Sequence, residues 1–163
     1  MKHWSKPVQL YLLRHGIAEP KSSTGRDVDR RLTAQGIASL GKILDRASAA
    51  AWKPDLIVSS PYKRAIETAG IAAERLSYLG DLLQSPALSP DVAPVDLWNE
   101  VRALAPAAAV LLVSHEPLLS AATSWLLGET HVVVSFAPAT LVRIDFEELG
   151  PRPHGVLQWK LDA

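Results

Sequence analysis

Arg14, His15 and Gly16 stand together directly after the apolar run Val8-Gln9-Leu10-Tyr11-Leu12-Leu13. A β-type run that ends in a guanidinium, an imidazole and a glycine is a place where a phosphate can be gripped and attacked. Arginine bonds phosphate oxygens bidentately and keeps its charge at every physiological pH, and a neutral imidazole can act as a covalent nucleophile. The same character recurs at Val58-Ser59-Ser60-Pro61-Tyr62-Lys63-Arg64 and at Val113-Ser114-His115-Glu116-Pro117. One such triplet is ordinary solvated surface; three strand ends of this kind in a chain of 163 residues can converge on one site.

The elements that must position them follow from the pattern. Apolar β-type runs alternate with helical stretches, which predicts a three-layer α/β/α sandwich with a mostly parallel central sheet, in one domain spanning 1–163. After the first strand, Ile17 to Arg31 is polar, with Pro20, Gly25 and Ser22-Ser23; a connection of that length without structure of its own reads as functional. Thr33 caps a helix to about Ala51. Asp55 to Ser59 is the second strand, and Pro61 opens a helix to about Tyr78 with Arg64 in its first turn.

Leu82 to Gln84 is a short third strand, followed by a proline-punctuated connection (Pro86, Pro90, Pro94) and a helix over Val95 to Leu104. Ala108 to Ser114, almost wholly apolar, reads as a central strand. Glu116-Pro117 begins the next helix, ending near Gly128. His131 to Phe136, Ala139 to Phe146 and Val156 to Lys160 read as closing strands, with Gly150-Pro151-Arg152-Pro153 as a turn. In sheets of this kind ligands sit outside the carboxyl ends of the strands, where helix N-termini face an anion. All three motifs fall at carboxyl ends, so two arginines and two histidines are expected around a tetrahedral dianion.

Composition narrows the chemistry further. Lys and Arg total 17 and so do Asp and Glu, which leaves no basic footprint for nucleic acid or an anionic membrane surface. The absence of cysteine removes disulfides, thiolate metal sites and a cysteine nucleophile. The apolar run at the N-terminus is too short for a signal-peptide core and no segment reaches transmembrane length, so a cytoplasmic protein is expected. Metal-ligand spacing is absent and no cofactor is implied; His3, His131 and His154 read as structural. Trp98 and Trp125 read as helical packing residues, and Trp4, Trp52 and Trp159 lie near element ends.

The three motifs, in this order and spacing, resemble those of the histidine phosphatase superfamily, which includes the cofactor-dependent phosphoglycerate mutases. Arg14-His15-Gly16 looks like its first motif, Arg64 matches the arginine expected after a Ser-Pro step, and His115 matches the histidine of a Gly/Ser-His-x-Pro step. The short chain and Asp29-Arg30-Arg31-Leu32-Thr33-Ala34-Gln35-Gly36 look most like the SixA-type phosphohistidine phosphatases, with Arg31 at a position where they commonly carry proline. The resemblance implies a phosphoglycerate mutase-like fold with His15 as nucleophile, forming a phosphohistidine that water hydrolyses. It implies Arg14, Arg64 and His115 as ligands of the phosphoryl oxygens, with Gly16 letting the backbone approach the phosphate. Ser22 or Thr24 could add a hydroxyl donor.

The general acid is not marked in the sequence. Mutase-type relatives carry a glutamate after the third strand, where this chain has Leu88-Ser89-Pro90-Asp91. Secreted acid phosphatases of the superfamily extend the first motif with an arginine where this chain has Ala18, and use an acid directly after the second histidine. Glu116 is therefore a possible general acid, Glu19 and Asp91 are weaker ones, and Glu67 reads as a helix-surface partner. An alkoxide leaving group needs protonation, an effect of roughly 100- to 10,000-fold, whereas a phosphoramidate leaves as a readily protonated imidazole. The missing acid thus favours phosphohistidine on a carrier protein, with inorganic phosphate as product. A small phosphate ester as substrate, or a non-catalytic module that binds phosphate or a phosphoprotein, are the other readings.

Overall fold

The run Val8–Leu13 has apolar residues on both sides of its pleat, a pattern that suits a strand covered on both faces. It becomes β1 (Val8–Arg14), with β4 (Ala109–Ser114) on one side in parallel and β5 (Leu141–Phe146) on the other, antiparallel. Every residue of β4 is buried. β2 (Leu56–Ser59) runs parallel to β4 and to β3 (Leu82–Gln84), and β6 (Val156–Leu161) closes the far edge antiparallel to β5. The six-stranded sheet has the order β3-β2-β4-β1-β5-β6. The computed structural model describes residues 7–50, 52–129 and 132–163; His3, Trp4 and His131 lie outside them.

Helices α1 (Ala34–Ser48) and α2 (Lys63–Arg75) cover one face, and α3 (Pro94–Ala103) and α4 (Leu118–Leu126) the other. The period-two side chains of the strands sort accordingly. Tyr11, Leu13, Ile57, Leu111 and Val113 pack with Leu40, Ile43 and Leu44 of α1 and the alanines of α2. Leu10, Leu12, Val58, Val110 and Leu112 pack with Trp98 of α3 and Leu118, Leu119 and Leu126 of α4. Trp98 is fully buried and its Nε1 donates to the Gly150 carbonyl at 3.1 Å. Among the described residues no helix is long and apolar enough to cross a membrane.

This topology creates the crevice. β1 and β4 are neighbours, yet the chain leaves β1 toward the α1 face and β4 toward the α4 face, so their carboxyl ends splay apart as at a topological switch point. Arg14 and Ser114 sit side by side in register there, and Ser59 of β2 pairs with Val113. Thr33 caps α1 as its position predicts, with Oγ1 accepting from Gly36 N at 3.0 Å; such a cap contributes about 1 kcal/mol.

Several boundaries differ from the sequence expectation. Val132–Phe136 is not a strand: β4 and β5 already occupy both edges of β1. The segment instead crosses the end of the core, burying Val134 and Phe136. Ala139 turns back with φ of 66°, so β5 starts only at Leu141. α2 begins at Lys63 rather than at Pro61 and ends at Arg75, with Ser77 at φ 53° breaking it before Tyr78. α1 stops at Ser48. Within the long polar connection, Asp27–Asp29 forms a short 3-10 turn and Ala18 bridges Leu32.

Candidate active site

His15 follows β1 and is 7% exposed. Its Nδ1 lies 2.7 Å from the carbonyl of Gly16. A carbonyl only accepts, so Nδ1 carries the proton and Nε2 keeps its lone pair. Burial pushes the imidazole down to about 4, against the Gly16 hydrogen bond, with Arg64, Arg14 and Arg30 adding to the depression. The ring is therefore neutral at neutral pH, and Nε2 carries the lone pair that a nucleophile needs for attack on an electrophilic phosphorus.

Arg64, the second residue of α2 and 5% exposed, reaches that same nitrogen: its Nε donates to His15 Nε2 at 3.2 Å. Its other nitrogens donate to the Asp27 carbonyl at 2.9 Å and to Asp27 Oδ2 at 3.2 Å. Arg14 ends β1 and donates from Nη1 to the Phe136 carbonyl at 2.7 Å, while its buried Nε has no partner. Burial lowers the Arg14 pKa and the Glu116 charge opposes that shift. A guanidinium stays cationic regardless.

His115 follows β4 and is almost fully buried. Its ring lies 5.0 Å from that of His15 and meets Tyr62 edge-on at 4.9 Å. Nε2 is 2.7 Å from Ser60 Oγ, and Nδ1 is buried without a partner. Burial first, then His15 and Arg64, push this imidazole down to about 3. The structure thus brings Arg14, His15, Arg64 and His115 together from three strand ends, as the sequence predicts.

The remaining sequence candidates are placed differently. Gly16 donates its N–H to Thr68 Oγ1 at 3.2 Å, and a Cβ there would lie 2.7 Å from Leu40 Cδ1 and 3.0 Å from the Gly36 carbonyl. Its missing side chain makes room for α1, and its amide bonds Thr68 of α2. Ser22 and Thr24 bond within their own loop, Thr24 Oγ1 to Asp29 Oδ2 and Ser22 Oγ to the Arg26 carbonyl. Glu67, on the half-exposed side of α2, accepts with Oε1 from Leu32 N at 3.2 Å and ties down the end of that loop. Glu19 accepts from Arg31 N, and Asp91 is exposed. Glu116 Oε1 accepts from Ser120 N at 2.8 Å in the first turn of α4.

Asp27, Arg30, Ser60, Tyr62 and Thr68 belong to the site but were not singled out by sequence. Arg30 Nη1 bonds Asp27 Oδ1 at 2.8 Å, and that bond, with Arg64, holds the Asp27 carboxyl below the usual carboxylate range. The polar loop is the one sequence signal for Asp27, and Arg30 stands in the segment that carries the resemblance to SixA-type proteins. A hollow of about 380 Å3 lined by Glu19, Ser23, Thr24, Asp29, Arg31 and Lys63 opens on that loop. Among the described residues no group of three or more acidic or histidine side chains could hold a metal ion.

A neutral imidazole flanked by two arginines and a second histidine, at the switch point of a three-layer α/β/α sheet, defines a phosphoryl-handling enzyme. Residues 10–89 match the family described as the histidine phosphatase superfamily (branch 1). An uncharacterized protein of Picosynechococcus sp. is 32% identical over 111 residues, 68% of this chain and 67% of that protein. The fold matches the protein histidine phosphatase SixA solved with tungstate at a TM-score of 0.85 and 22% identity, over 94% of this chain and 96% of that one. It matches a putative phosphohistidine phosphatase SixA from Agrobacterium tumefaciens at 0.79 and 24%, over 96% and 99%. A mycobacterial glucosyl-3-phosphoglycerate phosphatase shares the fold at 0.68 and 17%, over 94% and 98%. The chain belongs to the histidine phosphatase superfamily, and its activity class is that of a phosphatase.

Proposed function

We propose that this phosphatase removes the phosphoryl group from phosphohistidine on a carrier protein, through a covalent phosphohistidine on His15. The observation that carries the reading is the state of His15: protonated on Nδ1 by its bond to Gly16 and unprotonated at Nε2. In the first step Nε2 attacks phosphorus, the P–N bond of the substrate breaks, and the leaving imidazole takes up a proton. In the second, water attacks the phosphorus on His15, the new P–N bond breaks, and inorganic phosphate leaves. Arg14, Arg64 and His115 hold the three equatorial oxygens and offset the charge spread over them. The proposed compartment is the cytoplasm.

The choice of a P–N substrate is supported by what the site offers as acid. Asp27 is the carboxylate brought against Arg64, and Arg30 and Arg64 keep it ionised, so it is a poor proton donor. Glu116 spends one carboxylate oxygen on the first turn of α4. A leaving imidazole needs little help of this kind, whereas an alkoxide needs much. The likeness in fold to SixA proteins supports the same choice.

A phosphomonoesterase is the second reading, with Glu116, the residue directly after His115, as the carboxyl group it would use as acid. Phosphate release from a phosphohistidine-bearing carrier and from p-nitrophenyl phosphate, measured in parallel with wild type and His15→Ala, separates the two. Release chiefly from the carrier and lost in the variant supports the proposal. Vigorous ester turnover with none from the carrier overturns it. Phosphate binding without turnover of either would leave a binding module.

A further inference from the structure

Ser60 is completely buried where the chain passes from β2 to α2. Its backbone N–H donates to the Val113 carbonyl at 2.9 Å, which fixes it to the end of β4. Its Oγ accepts from Tyr62 N at 3.2 Å and lies 2.7 Å from His115 Nε2. Those are the hydrogen bonds of this hydroxyl among the described residues.

A hydroxyl has one hydrogen and two lone pairs. With one lone pair engaged by Tyr62 N–H, the short contact to His115 can be made in two ways. If His115 Nε2 were protonated, it would occupy the second lone pair. The Ser60 hydrogen would then be left without an acceptor in a dry interior, which carries a desolvation penalty. The same tautomer would leave a bare lone pair on Nδ1, the one ring nitrogen of His115 that Ser60 does not occupy. If Ser60 instead donates to Nε2, every atom of the hydroxyl is used and Nδ1 carries the hydrogen. Nδ1 is the atom of His115 that is buried without a partner.

We infer that Ser60 is a positioning residue: its hydroxyl donates to His115 Nε2, locks the neutral ring in the Nδ1–H tautomer, and so makes Nδ1 a donor to an equatorial oxygen of the phosphoryl group. The inference rests on the phosphatase reading of this site. The second histidine then works as a neutral donor, not as a cation. Its depressed pKa is consistent with that role, since an imidazole held down to about 3 is neutral throughout the neutral range. Tautomer choice matters only for a neutral ring. The two histidines are then set by the same kind of device on opposite nitrogens of the reaction: Gly16 O frees Nε2 of His15 to attack, and Ser60 Oγ directs the Nδ1 hydrogen of His115 to stabilise.

The test uses the full chain uniformly labelled with nitrogen-15. Long-range proton–nitrogen spectra of the ring nitrogens, taken at neutral pH with and without inorganic phosphate, read the tautomer of His115 directly. The expected wild-type result is Nδ1–H in both conditions. In Ser60→Ala, a nearly isosteric change, the Nδ1–H form should lose its dominance and the affinity for inorganic phosphate should fall about tenfold, one hydrogen bond's worth. Carrier dephosphorylation should fall in kcat/KM by a similar factor. A wild-type His115 protonated on Nε2 overturns the inference, whether or not the variant folds. So does a Ser60→Ala protein whose tautomer and phosphate affinity are both unchanged. If the wild type dephosphorylates neither carrier nor ester, the proposed function fails on its own account, and the spectrum and phosphate titration still decide the role of Ser60.

Discussion

Arg64 Nε donates to His15 Nε2 across 3.2 Å, so the one lone pair of the nucleophilic nitrogen is engaged by the same guanidinium whose other donors grip Asp27, and attack on phosphorus requires that bond to be given up. Three donors on one rigid plane do three separate tasks, and a phosphoryl group arriving at Nε2 meets a cation already aimed at it. A lysine has no such fork. Arg64→Lys should therefore lower kcat/KM by about 100-fold, the loss usual for one well-placed charge-stabilising donor. Steady-state kinetics on the carrier substrate check this, and a loss confined to a few fold would mean that Arg64 is a structural cation.

Gly36 lies in the first turn of α1, away from the reacting atoms, yet a Cβ there would stand 2.2 Å from the Ile17 carbonyl. That carbonyl also accepts from Thr33 N and Thr33 Oγ1, so it cannot move without disturbing the cap of α1. Gly36→Ala should push the Arg14-His15-Gly16 segment away from α1, destabilising the fold by about 1–3 kcal/mol as overpacking does. Turnover should fall together with the melting temperature. Unchanged stability would show that the contact relaxes freely.

Acid should weaken this fold through its two buried histidines. In the unfolded chain they titrate near 6.5, while in the folded protein they refuse the proton down to about 4 for His15 and about 3 for His115. Below 6.5 the unfolded state therefore binds more protons. Stability is complete above that value and is lost as pH falls through the window, by at most about 1.4 kcal/mol per imidazole per pH unit. Thermal melts across the window, with Asn in place of either histidine, measure each share.

The same shifts set the acid limb of activity. kcat/KM reports the free enzyme, and His15 in that state stays neutral down to about 4. Once the ionisation of the substrate is divided out, the rate should hold well below 6.5. An acid limb at the ordinary histidine value would mean that His15 is solvated in solution.

Glu116→Gln keeps an oxygen to accept from Ser120 N and removes only the charge. Carrier turnover should stay within about threefold, because a leaving imidazole needs little external acid. A fall of about 100-fold in ester turnover alone would make Glu116 the acid for that slower reaction.

Local pattern was enough to place Arg14, His15 and His115 at strand ends, Arg64 in the first helical turn after one, the central apolar strands, and the Thr33 cap. Each of these follows from chain neighbours: a run of apolar residues, a polar end, a hydroxyl three residues before an amide. Tertiary structure decided what the side chains meet. Arg64 finds Asp27 at 37 residues' separation and Arg14 finds the Phe136 carbonyl at 122; neither is visible in a local pattern. Val132–Phe136 has the composition of a strand but finds both edges of β1 occupied, so it supplies a carbonyl to the site instead. Gly16 reads as a place for phosphate and is the place where α1 comes close. The proton positions on the two histidines, and so the direction of the chemistry, depend on which groups the packing brings within hydrogen-bond reach, because a buried imidazole takes the tautomer its partners leave it.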